Sequence, residues 1–332
     1  MSIPFISALI QAKMDFVDSI KIILIVREEY EAILNCLNIR DQFDVITFNK
    51  KKYSGFSGPF KFASDYKSLI QDADIYYTLS PSFSTALIGR LIKARTRIGH
   101  VSSDFFRGYL LTKEVSYIKK HRAEEYLNLL STSPTSSSIN PNIHINIYAN
   151  PYIYTNKLII NYDEYFLINA TSEAPSRRMP ILKWVELISK FINRTFIFTG
   201  LKKDYNYIEE LIGNLEIANG NRYINLAGKT NLIELMSIVS KAKFVISNDS
   251  GVAHLSAMLC RPLLVFFGAG DSNSTSPKIY SEHIDKNFKI IIEKIDVYCS
   301  PCLKNQCPIK NNVQNMICLK NINMKKVYSN FF

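Results

Sequence analysis

Residues 243–271 read KFVISNDSGVAHLSAMLCRPLLVFFGAGD, and their order decides the fold. Phe244-Val245-Ile246 is an apolar, largely β-branched run suited to a short buried strand. Asn248-Asp249-Ser250-Gly251 supplies turn formers and helix-capping residues together. The small and apolar residues Val252 to Leu259 predict a short helix, which Arg261-Pro262 ends. Leu263 to Phe267 is a second strand, running into the turn Gly268-Ala269-Gly270-Asp271. This is one βαβ unit with polar groups at the carboxyl ends of its strands, the edge where open α/β sheets bind ligands.

The chemistry open to this stretch follows from its backbone. Amide protons at a helix start, with the helix dipole behind them, form a site for an anion such as a pyrophosphate. Gly251 has no Cβ to obstruct close approach. Ser250 adds a hydroxyl, and His254 in the first turn adds an imidazole. The alternative stays open on these residues alone: Asp249 or Ser250 caps the helix, and His254 is a satisfied, partly buried histidine.

Working outward, helical and strand patterns alternate along all 332 residues. Toward the N-terminus, helices are expected over 2–14, 28–37, 64–71 and 80–93, and strands over 20–26, 44–48, 74–79 and around 97–100. Lys50-Lys51-Lys52 and Ser54-Gly55-Phe56-Ser57-Gly58-Pro59 mark a loop. The pattern predicts doubly wound α/β architecture. The Ser-, Asn- and Pro-rich stretch 131–150 marks the approach to a linker, dividing the chain into domains 1–155 and 156–332.

An apolar fraction of 47% with 21% charged residues is that of a globular protein. No apolar run approaches the roughly 18 residues of a membrane span, and no signal-peptide pattern opens the chain, so a cytoplasmic location is expected. The net charge of +11 concentrates between Arg90 and Arg122, where nine Lys and Arg residues face only Asp104 and Glu114. Such an excess favours an anionic partner. No nucleic-acid-binding motif accompanies it, so an anionic membrane surface or phosphorylated lipid is the preferred reading, against a merely solvated face. Cys299, Cys302, Cys307 and Cys318 form a C-x2-C-x4-C-x10-C arrangement. Four thiolates match the ligand count of a structural zinc site, although the spacing is not that of a zinc ribbon; a reduced, packed set is the alternative.

The stretch NDSGVAHLSAMLCRPLLVFFGAGD resembles the signature of the ADP-heptose:lipopolysaccharide heptosyltransferase family, glycosyltransferase family 9. Three further motifs resemble it in family order: Asn169-Ala170-Thr171-Ser172 through Arg177-Arg178-Met179-Pro180, Phe198-Thr199-Gly200 with Asp204, and Leu226-Ala227-Gly228-Lys229-Thr230. Arg177 stands where the family usually has lysine, and Met179 where it has tryptophan. The resemblance implies a GT-B fold, two Rossmann-like domains facing a cleft. It implies inverting, metal-independent transfer of a heptose or related sugar from an ADP-sugar to the lipopolysaccharide inner core, with no cofactor required.

The donor-binding residues it implies are Thr171, Ser172, Arg177, Asp204, Lys229, Thr230, Asp249, Ser250, Gly251 and His254. Asp204 would accept from ribose hydroxyls, and Ser250, Gly251, His254 and Arg177 would hold the diphosphate. Arg95, Arg97 and Arg107 are candidates for an anionic glycolipid acceptor at the inner membrane. The family's proposed base is an aspartate ending the first strand. Aligning Pro4 with the family places that strand and its aspartate ahead of Met1, so no catalytic residue carries over and the N-terminal domain is expected to lack its first strand. An inactive homologue that binds nucleotide sugar or partner proteins is therefore the competing expectation. A nicotinamide-dependent oxidoreductase is disfavoured, because no G-x-G-x-x-G opens a βαβ unit.

Overall fold

A computed structural model describes residues 2–15, 20–36, 40–101, 104–132, 164–215, 219–279, 288–311 and 313–332. The chain divides into two compact units, Met1–Ile147 and Tyr148–Phe332. The expected linker stretch 131–150 falls almost wholly outside the described residues, and so does Cys36's side chain. Among the described residues no helix is long and apolar enough to cross a membrane.

Among the described residues the N-terminal unit carries five strands: β1 (Ile23–Arg27), β2 (Asp44–Phe48), β3 (Ile75–Thr78), β4 (Thr96–His100) and β5 (Lys113–Val115). β1 and β2 form one parallel pair, and β3, β4 and β5 a separate parallel sheet. Among the described residues no strand is hydrogen-bonded between them. β1 to β4 match the four strands expected from the sequence to within about three residues, whereas β5 is not among those expected. The helix expected over 64–71 starts earlier: the structure has Gly58–Asp65, then a single turn at Lys67–Ile70. Pro59 in the first turn has its φ already set for a helix, and fully buried Phe62 draws the earlier start into the core.

The C-terminal unit is one six-stranded parallel sheet. Its strands are β6 (Phe166–Asn169), β7 (Thr195–Phe198), β8 (Arg222–Asn225), β9 (Phe244–Asn248), β10 (Leu263–Phe266) and β11 (Ile290–Glu293). The order across the sheet is β11-β10-β9-β6-β7-β8. β6 and β10 are buried throughout, as strands covered on both faces must be. Trp184, from the helix Ile181–Ile188, packs edge-on against Phe266 with ring centroids 5.6 Å apart. The chain leaves β6 toward β7 and β8, then returns to the other side of β6 as β9. That reversal makes the carboxyl ends of β6 and β9 the topological switch point of the sheet.

Candidate donor site at the β6–β9 switch point

Every motif that the sequence placed in the C-terminal half arrives at this edge. The helix Gly251–Met258 starts directly after β9, with Ser250 extended at φ −153° as its cap residue. A Cβ built on Gly251 would meet nothing within 4 Å, so the first turn opens to free space. The amides of Gly251 and Val252 have no intrahelical acceptor at this position. His254 lies one turn in, half-buried and engaged in an interaction of its own.

Arg177 brings a fixed positive charge to Asp249, the residue just after β9. Its Nη1 lies 3.2 Å from Asp249 Oδ2; the arginine side chain is 34% exposed and the aspartate 5%. Contact is by proximity rather than hydrogen-bond geometry, since Oδ2 accepts no hydrogen bond. Burial pushes the Asp249 carboxyl above the usual range, and Arg177 draws it back in part. Gly270 is required here, because a Cβ would sit 2.2 Å from Asp249 Oδ2. The turn bearing Arg177 is itself tied down. Ser176 donates through its N–H to Asn305 O at 3.1 Å and through its hydroxyl to Lys304 O. The same tail segment reaches the turn after β10, with Leu303 N–H donating to Ala269 O at 2.9 Å and Ser300 Oγ to Gly268 O at 2.6 Å.

Several expected ligand contacts prove to be frame. The Ser250 hydroxyl, expected as a donor to the anion, here donates to Asn169 Oδ1 at 2.9 Å. Asp204, expected to meet ribose hydroxyls, is buried. One oxygen accepts from Leu201 N–H at 3.0 Å and the other pairs with Arg178 Nη2 at 3.0 Å. Burial of a carboxylate is stable only with such partners, which makes capping the better account. Ser172 donates to Asp249 O at 2.9 Å, and Thr171 is buried beside Gly200. Lys229 is exposed, donates to Asn225 O at 3.0 Å and lies 5.3 Å from the centre of the Tyr205 ring, with Thr230 half-buried beside it.

Sequence reasoning missed Asn169, Asn248 and Arg178. Asn248 Nδ2 donates to Ala170 O at 2.7 Å while its Oδ1 accepts from Met179 N–H at 3.2 Å, fastening β9 to the loop that carries Arg177. Arg178 Nε donates to Ser172 O at 2.6 Å. The available signal was an asparagine at the end of each of the two switch-point strands, where only a hydrogen-bonding role reconciles polarity with burial.

The acceptor-side candidates are corrected by the same accounting. Arg107 is fully buried, donating to His100 O and, at 3.3 Å, to Ser80 O. Arg97 donates to Leu110 O at 2.6 Å and Ala94 O at 2.7 Å. Arg95 remains at the surface, 3.2 Å from Asp74. Arg107, buried, and Arg97, half-buried, both serve backbone carbonyls. Cys299, Cys302, Cys307 and Cys318 are free thiols, and burial, with the other three thiols close by, pushes the Cys318 thiol up to about 11. Among the described residues no three His, Cys, Asp or Glu side chains converge to hold a metal.

The sequence profile of Glycosyltransferase family 9 (heptosyltransferase) matches residues 64–313. Lipopolysaccharide heptosyltransferase 2 of Salmonella typhimurium is 30% identical over 105 residues, 31% of this chain and 30% of that protein; the match thus spans under a third of the relative's length. Lipooligosaccharide heptosyltransferase 2 of Campylobacter jejuni is 23% identical across 81% of this chain and 77% of its own. Among solved structures, E. coli ADP-heptose lps heptosyltransferase II superposes with TM-score 0.69 at 18% identity, covering 98% of this chain and 92% of that one. E. coli heptosyltransferase WaaC, solved with ADP-2-deoxy-2-fluoro heptose, gives 0.61 at 19% identity, covering 88% and 89%. At such identities the likeness establishes the fold, the GT-B class expected from the sequence.

Proposed function

This chain belongs to glycosyltransferase family 9, and from that premise we propose that it transfers a heptose, or a related sugar, from an ADP-sugar to the lipopolysaccharide inner core. We place the reaction at the cytoplasmic face of the inner membrane, with inversion at the anomeric carbon and no metal in the transfer step. The observation that carries the reading is the head of the helix Gly251–Met258, open to space at Gly251 and flanked by the Arg177 guanidinium.

In such a reaction the acceptor hydroxyl oxygen bonds to the anomeric carbon and gives its proton to a base as the bond to the diphosphate breaks, and negative charge grows on the departing diphosphate. Fixed donors aimed at that charge lower the barrier, because they need no reorganisation during the step. The amides of Gly251 and Val252 and the guanidinium of Arg177 are those donors, with the His254 imidazole adjoining. Asn169, Asn248, Arg178 and Asp204 do not touch the leaving group; they keep the loop and the helix start in register. Lys229 and Thr230 would border the nucleoside.

The deciding experiment incubates the full chain with ADP-heptose and heptose-deficient lipopolysaccharide, following ADP release and the mass of the acceptor. Donor-dependent addition of one heptose is expected. ADP binding by calorimetry without transfer would support the inactive-homologue reading, and absence of both would refute the donor site.

A further inference from the structure

Exposed aromatic surface and uncommitted positive charge coincide in the N-terminal unit at the turn between β2 and the helix Gly58–Asp65. Phe56 stands at the tip, 86% exposed, its ring centroid 6.1 Å from that of Phe60, which is 45% exposed. Single exposed apolar residues are ordinary, but a contiguous exposed pair marks a contact surface.

The turn is built rather than slack. Tyr53 is buried beneath it, packed against Phe62 at 5.1 Å and Phe48 at 5.3 Å, and its hydroxyl donates to Asp65 at 3.0 Å. Tyr53 N–H donates to Asn49 O at 3.1 Å and Gly58 N–H to Gly55 O at 3.2 Å. Gly55 has φ 74°, and a Cβ on Gly58 would lie 2.0 Å from Tyr53 O. This tight path holds Phe56 outward, away from the core just beneath it.

Lysines surround the pair. Lys50, Lys51 and Lys61 are exposed and, among the described residues, have no ion-pair partner. Lys52 is held by Asp65 at 2.7 Å, and the nearby Glu28 accepts from Asn49 Nδ2 at 2.6 Å. The Arg90–Arg122 segment, expected to meet the membrane, spends much of its charge internally: Arg97 and Arg107 on carbonyls, Arg122 on Glu125.

We infer that this turn docks on an anionic lipid surface, with Phe56 and Phe60 entering the interfacial layer and Lys50, Lys51 and Lys61 meeting the headgroups. With Asp65 paired to Lys52, the uncompensated charge around the rings is positive, which suits a lipid leaflet of opposite charge. Aromatic tips flanked by lysine are how an interfacial contact divides its apolar and electrostatic parts. A stable protein interface buries about 800 Å² on each partner, more than a protruding two-ring tip offers. The inference rests on the proposed function only in that a lipid acceptor gives the docking a purpose.

Co-sedimentation of the full chain with vesicles separates the two, since neither donor nor acceptor is present. Binding is expected to vesicles of phosphatidylglycerol and phosphatidylcholine in equal parts, to weaken with salt, and to vanish on phosphatidylcholine alone. The F56S/F60S double variant, unchanged in circular dichroism and melting, should lose binding by about tenfold or more. The K50E/K51E variant should lose it comparably, while R90E/K93E retains it. Equal binding by the wild type and F56S/F60S, or binding indifferent to lipid charge, would overturn the inference. So would a dimer in sedimentation velocity that F56S/F60S dissolves while vesicles recruit nothing, which assigns the patch to a second copy of the chain.

Discussion

Replacing Arg177 by alanine tests the donor site through two readouts at once. The substitution removes the only charged partner that Asp249 has among the described residues; its carboxylate is 5% exposed and lies 3.2 Å from the guanidinium. Breaking a buried pair by deleting one member costs about 3–5 kcal/mol. Arg177 is itself a third exposed, so water screens the contact and the loss falls to about 2 kcal/mol. For a unit of this size that is a drop of about 4–8 °C in its melting temperature. The pH dependence gives the argument its sign. Burial raises the folded-state pKa of Asp249 above its unfolded value. A carboxyl shifted in that direction favours the fold most when protonated, and its contribution is lost as pH rises through the folded pKa. Without Arg177 the upward shift grows, so the variant's deficit should be full near neutral pH and shrink as pH falls toward about 4. Differential scanning fluorimetry of both proteins across that range reads the effect. In transfer assays the variant should lose about a hundredfold in kcat/KM, as expected when one preorganised donor to a developing anion is removed. Lysine at 177 should recover most of that loss. An equal deficit in melting temperature at both ends of the pH range, or unaltered ADP affinity, would refute the placement of this charge.

Gly251→Ala should leave the melting temperature unchanged, because its Cβ meets only open space, yet weaken ADP binding by about tenfold in calorimetry by standing where the diphosphate approaches. Gly228→Ala should do the opposite. Its φ of 70° and a Cβ 2.6 Å from Lys202 Cα predict about 2 kcal/mol of destabilisation in urea unfolding. Arg107→Met should cost about 3 kcal/mol in the N-terminal unit, since it orphans the carbonyl of buried His100, while leaving the KM for acceptor unchanged. Chelation followed by elemental analysis should find no stoichiometric metal at Cys299, Cys302, Cys307 and Cys318, with the melting temperature unmoved.

The sequence made the framework legible where local chemistry has one outcome. The β-branched run 244–246, the turn formers 248–251 and Pro262 leave little choice but strand, turn, helix and strand, and β9, the helix Gly251–Met258 and β10 follow within a residue or two. What it could not disclose was which polar atoms face outward, because that is fixed by partners distant in the chain. Asp204 three residues after Leu201 suits a ribose contact or a cap equally well; Arg178 at 3.0 Å decides between them. Ser250 has one hydroxyl proton, and Asn169, 81 residues earlier, takes it. Arg107 counts toward a basic patch in any charge tally, yet it is buried. These outcomes share a cause: a polar group at the end of a buried parallel strand must be satisfied before it can serve a ligand. Asn169, Asn248, Ser250 and Asp204 therefore behave as frame, and what remains presented is backbone and one guanidinium. Backbone amides at a helix head cannot be removed by side-chain substitution, whereas Arg177 can. Activity in this site should accordingly fall with changes at Gly251 and Arg177 that spare the fold's secondary structure, and changes at Asn248 or Asp204 should register first as instability.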